Sequence, residues 1–149
     1  MKLLKLLFAA ILFTVISEVI HTAESFFTMS FYLDSNYFAV WSKIMMPTAG
    51  PPPTSFYVYS IVFTFISDLI FAFIFSKVKD VKVESVIKAN VWWKNGTRYG
   101  IAVWLLASIP WTLTTYLLIN LPSMLLVYWA ISGLLVYILA GIAMAKILK

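Results

Sequence analysis

The sequence predicts an all-α, polytopic membrane protein: a four-transmembrane-helix antiparallel bundle with an external interfacial helix. Three observations lead there. The 149 residues are 62% hydrophobic and only 11% charged, with a mean hydropathy of +0.94, whereas an average soluble domain carries roughly a quarter charged residues. The apolar residues fall in long blocks. The longest, Tyr99 to Ala145, runs 47 residues without Asp, Glu, Lys or Arg. As one helix it would measure about 70 Å, over twice the ~30 Å of bilayer hydrocarbon, so it must fold back. These figures leave too few charges to cover a soluble surface, and they exclude disorder, whose signature is low hydrophobicity.

Taken in order, the first span covers approximately residues 6–25, bounded by Lys5 and Glu24 and interrupted by Glu18 and His21. A cleavable leader built on Lys2, Lys5 and Leu6–Ile16 is the competing reading. The apolar stretch is longer than the ~7–15 residues of such a leader's core, and no A-x-A site follows. The second span covers 56–76, with Thr54 and Ser55 as candidate N-caps, Lys77 at its end and Asp68 within it. The 47-residue block divides at Asn120-Leu121-Pro122-Ser123, because proline cannot continue a helix but suits the first turn of the next. This yields spans 99–120 and 123–146 joined by a tight hairpin, all four forming one membrane domain.

Charge placement predicts the topology. Lys2, Lys5, Lys77, Lys79, Lys82, Lys88, Lys94, Arg98, Lys146 and Lys149 lie on one side of such a bundle, and only Lys43 on the other. By the positive-inside rule both termini are cytoplasmic, as expected of a multi-pass cell-membrane protein, and Glu24–Ser55 is external. The net charge of +5 therefore reports orientation. It does not mark a nucleic-acid-binding face, and acidic lipid is a sufficient partner for these cations. The absence of cysteine removes disulfides, thiolate metal sites and cysteine nucleophiles.

The external segment carries Phe26, Phe27, Phe31, Tyr32, Tyr37, Phe38 and Trp41, then Met45-Met46-Pro47 and Pro51-Pro52-Pro53. Aromatics of this kind settle at the headgroups, so Ser35–Met46 is expected as an interfacial helix and the prolines as a stiff lead into the second span. A lid over a substrate is the sharper alternative. Lys77–Tyr99, with Val83, Val86, Ile87 and Val91 at helical spacing and Trp92 and Trp93 at its end, reads as an amphipathic connector on the inner leaflet. Asn95-Gly96-Thr97 fits a glycosylation pattern on the wrong side of the membrane.

Ionisable groups within spans are the candidate chemistry. Glu18 and Asp68 lie about 18 Å and 12 Å from the basic ends of their antiparallel helices, so they share a depth to within about 6 Å. Burying either as a charge costs several kcal/mol unless it is protonated, paired or hydrated. His21 follows Glu18 by three positions, on the same helix face. Glu18, His21 and Asp68 therefore form the candidate polar, proton-binding set. A simpler reading is that Glu18 and His21 satisfy one another and orient packing. The Glu18–His21 spacing also occurs in di-metal helix bundles, but one histidine falls short of their ligand count, and neither metal nor cofactor is expected.

Pro110 would leave the Leu106 carbonyl unpartnered, with hydroxyls of Ser108, Thr112, Thr114 and Thr115 available to the freed groups. Gly133, Tyr137, Gly141 and Ala145 recur every four residues, a stripe admitting close helix approach. Gly133 and Gly141 are therefore packing residues. Tyr137 and Tyr116 are secondary site candidates, since a buried phenol wants a partner.

Gly96-Thr97-Arg98-Tyr99-Gly100, Pro110, Tyr116, Pro122, Trp129, Gly133, Tyr137 and Gly141, with Glu18 and His21 ahead of a loop bearing Trp41 and Met46, resemble a family of small uncharacterised four-helix prokaryotic membrane proteins. The resemblance spans nearly the whole chain; the Glu–His spacing is three here and four in that family. It implies the architecture and no activity. Ser17-Glu18-Val19-Ile20 is similar to the surroundings of the membrane-embedded glutamate of small multidrug resistance transporters, from which the long external segment and Asp68 depart. Eicosanoid and glutathione membrane enzymes of this size would need arginines to grip an anionic cofactor, and Arg98 is the one arginine, so an enzyme is disfavoured. The expectation is small-solute or proton-linked transport or binding through an intramembrane polar pocket. The alternative is a structural or accessory protein acting by helix–helix contact, as a homodimer or with a membrane partner.

Overall fold

All four stretches long and apolar enough to cross a membrane are helices in the computed structural model, which describes residues 2–37, 40, 53–78 and 91–148. They are α1 (Lys2–Tyr32), α2 (Thr54–Val78), α3 (Trp92–Leu118) and α4 (Ser123–Ile147), and no strand occurs among the described residues. The protein is an all-α, multi-pass membrane bundle. The physical reason is general: without water, each backbone polar group must be bonded within its own segment.

The ends are local decisions. Neither α1 nor α2 contains a glycine or proline, so nothing inside them interrupts the ladder. Past Tyr32, the Asp34 carboxylate accepts the Asn36 N–H at 2.9 Å and its carbonyl accepts the Tyr37 N–H at 3.1 Å. This turn diverts the chain into the 3-10 turn Ser35–Tyr37. Pro53 precedes α2, and Thr54 and Ser55, read as caps, are instead its first two residues. Pro122 opens α4 with its carbonyl taking the Leu125 N–H at 3.0 Å, as a residue with a fixed φ and no N–H to lose can do.

Two boundaries differ from the expected ones. The first helix does not stop at Glu24 but continues to Tyr32, because Glu24 is satisfied inside the bundle. The third does not start at Tyr99 but at Trp92, so Trp92 and Trp93 open the span instead of closing a connector. Lys94 and Arg98 are tolerated there because both are exposed near the helix end, where long cationic side chains reach the interface. Residues 79–90, the rest of that connector, lie outside the described residues, as does most of the expected interfacial helix Ser35–Met46.

The third helix is not regular. Trp104–Ser108 form a π turn, with the Ile109 N–H bonded to the Trp104 carbonyl, immediately before Pro110. A widened turn accommodates a residue that cannot donate. The Thr112 hydroxyl donates to the Ser108 carbonyl at 2.8 Å, two residues on from the Leu106 carbonyl that the sequence singled out.

Helix α4 is the most buried of the four and packs along both α1 and α3, while α2 packs along α1. The α3–α4 contact is the closest. A Cβ on Gly96 would lie 2.6 Å from Ile142 Cα, and one on Gly100 2.8 Å from Ile138 Cα, so these backbones touch as only a small-xxx-small pair allows. Gly141 faces Gly96 across this seam, whereas a Cβ on Gly133 would meet Ser108 Oγ at 3.1 Å. The glycine stripe of α4 is thus occupied by α3 of the same chain.

Two apolar clusters close the bundle at different levels. Near the lysine-rich end, Ala9, Phe13, Ala72, Phe75, Tyr99, Val136, Ala140 and Met144 are buried together. Near the hairpin end, Leu121, Leu125 and Leu126 pack against Phe31, Tyr32 and Trp129. Between these clusters the helices leave a cavity.

Candidate functional site

The cavity has a volume of about 1110 Å³ and is walled by all four helices. Its floor is aromatic. Phe13, Phe71 and Tyr137 form a mutual cluster with ring centroids 5.5–6.1 Å apart, and the Phe71–Tyr137 and Phe13–Tyr137 pairs meet edge to face. That geometry suits ring quadrupoles and makes a rigid base. Tyr99 braces it by donating to the Phe71 carbonyl at 2.9 Å and packing edge-on to Phe75 at 4.8 Å.

Asp68 sits just above this floor. Its residue is 4% exposed, yet it lines the cavity. Thr14 of α1 donates to Oδ2 at 2.9 Å. The same hydroxyl lies 3.1 Å from the Ala10 carbonyl, but its single proton serves one acceptor at a time. Among the described residues nothing donates to Oδ1 and no buried side-chain nitrogen or oxygen lacks both a partner and open space, so Oδ1 is reached from the cavity that Asp68 lines.

A second polar station lies toward the hairpin end. Thr14 and Glu24 are ten residues apart on α1, which places the stations about 15 Å from one another along the axis. Here His21 Nδ1 is 3.4 Å from Glu24 Oε2, and the Ser132 hydroxyl of α4 is 3.2 Å from the same oxygen. The Glu24 side chain is 10% exposed and that of His21 50%. Ser132 also reaches the Trp129 carbonyl at 3.1 Å. These three are the residue types of a hydrolytic triad in the wrong order: the carboxylate stands between serine and imidazole, so His21 cannot act as base on Ser132.

The expected site residues are dispersed accordingly. Asp68, His21 and Tyr137 line the cavity, as does Gly133; Glu18, Tyr116 and Gly141 do not. Glu18 is partly buried at a depth one turn from Asp68, but Ser17 and His21 occupy the cavity face of α1 and Glu18 is rotated off it. The expected Glu18–His21 pair is replaced by His21–Glu24, the same three-residue spacing one turn later. Tyr116, 64% exposed, lies on the outer surface of α3. Among the described residues no group of three or more His, Cys, Asp or Glu side chains converges as a metal site.

Sequence reasoning missed Glu24, Thr14 and Ser132. Glu24 had a signal, because a histidine has a neighbour three residues on either side. A second signal was the hydroxyl row Ser60, Thr64 and Ser67 on the otherwise apolar α2, which lines the cavity up to Asp68. Spacings of four and three put a row on one helix face. Neither lysine nor arginine is among the described lining residues, while Tyr59, Phe63, Trp111 and Trp129 supply aromatic wall. The cavity can therefore hold protons and positive charge. No protein-family model, curated protein or solved structure matches the chain.

Proposed function

We propose that this is a cell-membrane protein, with both termini cytoplasmic, that binds and carries a small solute in a proton-linked manner through the cavity. The carrying observation is that the cavity joins two carboxylates and one imidazole, Asp68, Glu24 and His21, within spans otherwise poor in charge. Ionisable groups are retained inside membranes where they have work to do, because each is expensive to bury. Asp68 holds or releases a proton beside Thr14, and the His21–Glu24–Ser132 station exchanges it toward the hairpin end. The orientation rests on Lys5, Lys77, Lys94 and Lys146 clustering at the end opposite the hairpin.

Helix–helix association as the main activity receives less support, since α3 of the same chain covers Gly141. The test is ligand-induced proton release from purified protein in weak buffer, paired with thermal stabilisation, across small amines, carboxylates, sugars and neutral aromatics. One class should stabilise the protein and release protons, Asp68→Asn should abolish the proton signal, and Glu18→Gln should leave it intact. Proton release that survives Asp68→Asn, or no class giving any, would overturn the reading.

A further inference from the structure

Helix α2 packs along α1, and α3 along α4, but α2 and α3 meet chiefly at the Tyr99–Phe71 and Tyr99–Phe75 contacts near the lysine-rich end. Toward the hairpin end they stand apart with the cavity between them. Phe63 of α2 and Trp111 of α3 both line that cavity, yet they are 64% and 62% exposed. Its wall is thus continuous with the lipid-facing surface of the bundle. A solute reaching Asp68 by this route passes between aromatic faces directly from the acyl region, which requires an apolar body.

The interior imposes a second requirement. Asp68 is nearly completely buried, its Oδ2 is held by Thr14, and its Oδ1 is open to the cavity. Among the described residues no lysine or arginine lines the wall to complement it. Once Asp68 has released its proton, an anion would meet only like charge there, and a neutral solute would leave a buried carboxylate without a counter-ion. A positive group beside Oδ1 answers the carboxylate, and the Phe71 and Tyr137 rings that line the same cavity add aromatic surface of the kind that attracts cations. A bare metal ion fits poorly, because the described residues supply no three-ligand cluster and hard cations want several oxygens.

Resting on the solute-binding reading above, we infer that the ligand is an amphiphilic organic cation, an ammonium group on an aromatic or aliphatic body, which enters between α2 and α3 and docks its charge at Asp68. Glu18, rotated off the cavity, takes no part.

The chain lacks cysteine, so Ser67→Cys places a single reporter on the cavity wall one residue from Asp68. Its alkylation by N-ethylmaleimide is followed in reconstituted full-length protein. Three probes of matched size are compared: benzyltrimethylammonium, its neutral carbon isostere neopentylbenzene, and p-toluenesulfonate. Benzyltrimethylammonium should protect the cysteine at a concentration at least ten-fold below either of the others. Adding Asp68→Asn should erase that preference, and adding Glu18→Gln should preserve it. Equal protection by the neutral or anionic probe would overturn the cation assignment while leaving the cavity as a solute site. Failure of all three to protect, with Ser67→Cys no more reactive than the lipid-facing Leu106→Cys, would sink both readings. The cation-to-neutral comparison within Ser67→Cys stands even if Asp68→Asn does not fold.

Discussion

Replacing Gly100 with alanine probes the seam on which the bundle depends. The new Cβ would lie 2.8 Å from Ile138 Cα and also crowd the Tyr137 carbonyl. Ordinary carbon–carbon contact is about 3.5–4.0 Å, so α3 and α4 must separate locally by roughly 1 Å. The obstructing atoms belong to backbone and cannot rotate away. Overpacking of this kind costs about 1–3 kcal/mol, and a rigid obstacle places Gly100→Ala near the upper end, about 3 kcal/mol. Alanine recovers about 1 kcal/mol of helix propensity. The net loss is therefore about 2 kcal/mol, close to a thirty-fold fall in the folded-to-unfolded ratio. Reversible unfolding by SDS in mixed micelles, followed by tryptophan fluorescence, measures it. Gly133→Ala is the internal control: its Cβ would press only on the rotatable Ser108 Oγ at 3.1 Å, with Trp104 Cδ1 and Ser108 Cβ at ordinary contact distances of 3.8 and 3.9 Å, so it should be neutral or stabilising by up to about 1 kcal/mol. Gly100→Ala within about 0.5 kcal/mol of the native protein, or no more harmful than Gly133→Ala, would refute the close-packed seam.

Three other outcomes are expected. Thr14→Val removes the hydroxyl that serves Asp68 Oδ2 and should destabilise by about 1.5–3 kcal/mol in the same titration if the carboxylate is charged, with Thr14→Ser close to native; equal stability of all three proteins would contradict that hydrogen bond's role. Tyr99→Phe loses the donation to the Phe71 carbonyl and should cost about 0.6–1 kcal/mol, the usual range for an interhelical bond in a membrane, while loosening the α2–α3 contact enough to raise Ser67→Cys alkylation. For orientation, Ser123→Cys at the hairpin should react with a membrane-impermeant maleimide added outside intact cells and Lys146→Cys should not; the opposite pattern would invert the assignment.

Much of the architecture was legible in the chain. Four spans and the proline hairpin follow from block length and from where proline can sit, and four helices long and apolar enough to cross a membrane are present. The ends proved harder, for reasons visible at particular residues. Glu24 looked like a boundary because a charge usually stops a span, but Ser132, 108 positions away, and His21 take it into the bundle. Lys94 and Arg98 looked like a connector because their charge was counted without the length of their side chains. Gly96 and Gly100 spell a small-xxx-small pair complementary to the stripe on α4, so the adjacency of α3 and α4 was also written in the chain.

The candidate site shows the same division more sharply. That carboxylates lie in the membrane is a one-dimensional fact, since hydropathy and a 1.5 Å rise assign each residue a depth. Depth put Glu18 and Asp68 nearly level, yet only Asp68 opens into the cavity. What distinguishes them is rotation about the helix axis. In a soluble helix the apolar stripe declares which side faces the core; in a span apolar on every side it does not, because lipid and protein interior are equally acceptable to leucine or phenylalanine. Sequence by itself determined that the chain crosses four times, since backbone hydrogen bonding in lipid is satisfied segment by segment. Tertiary packing alone decided that Asp68, His21 and Glu24 share a cavity while Glu18 does not, because that choice belongs to the neighbouring helices.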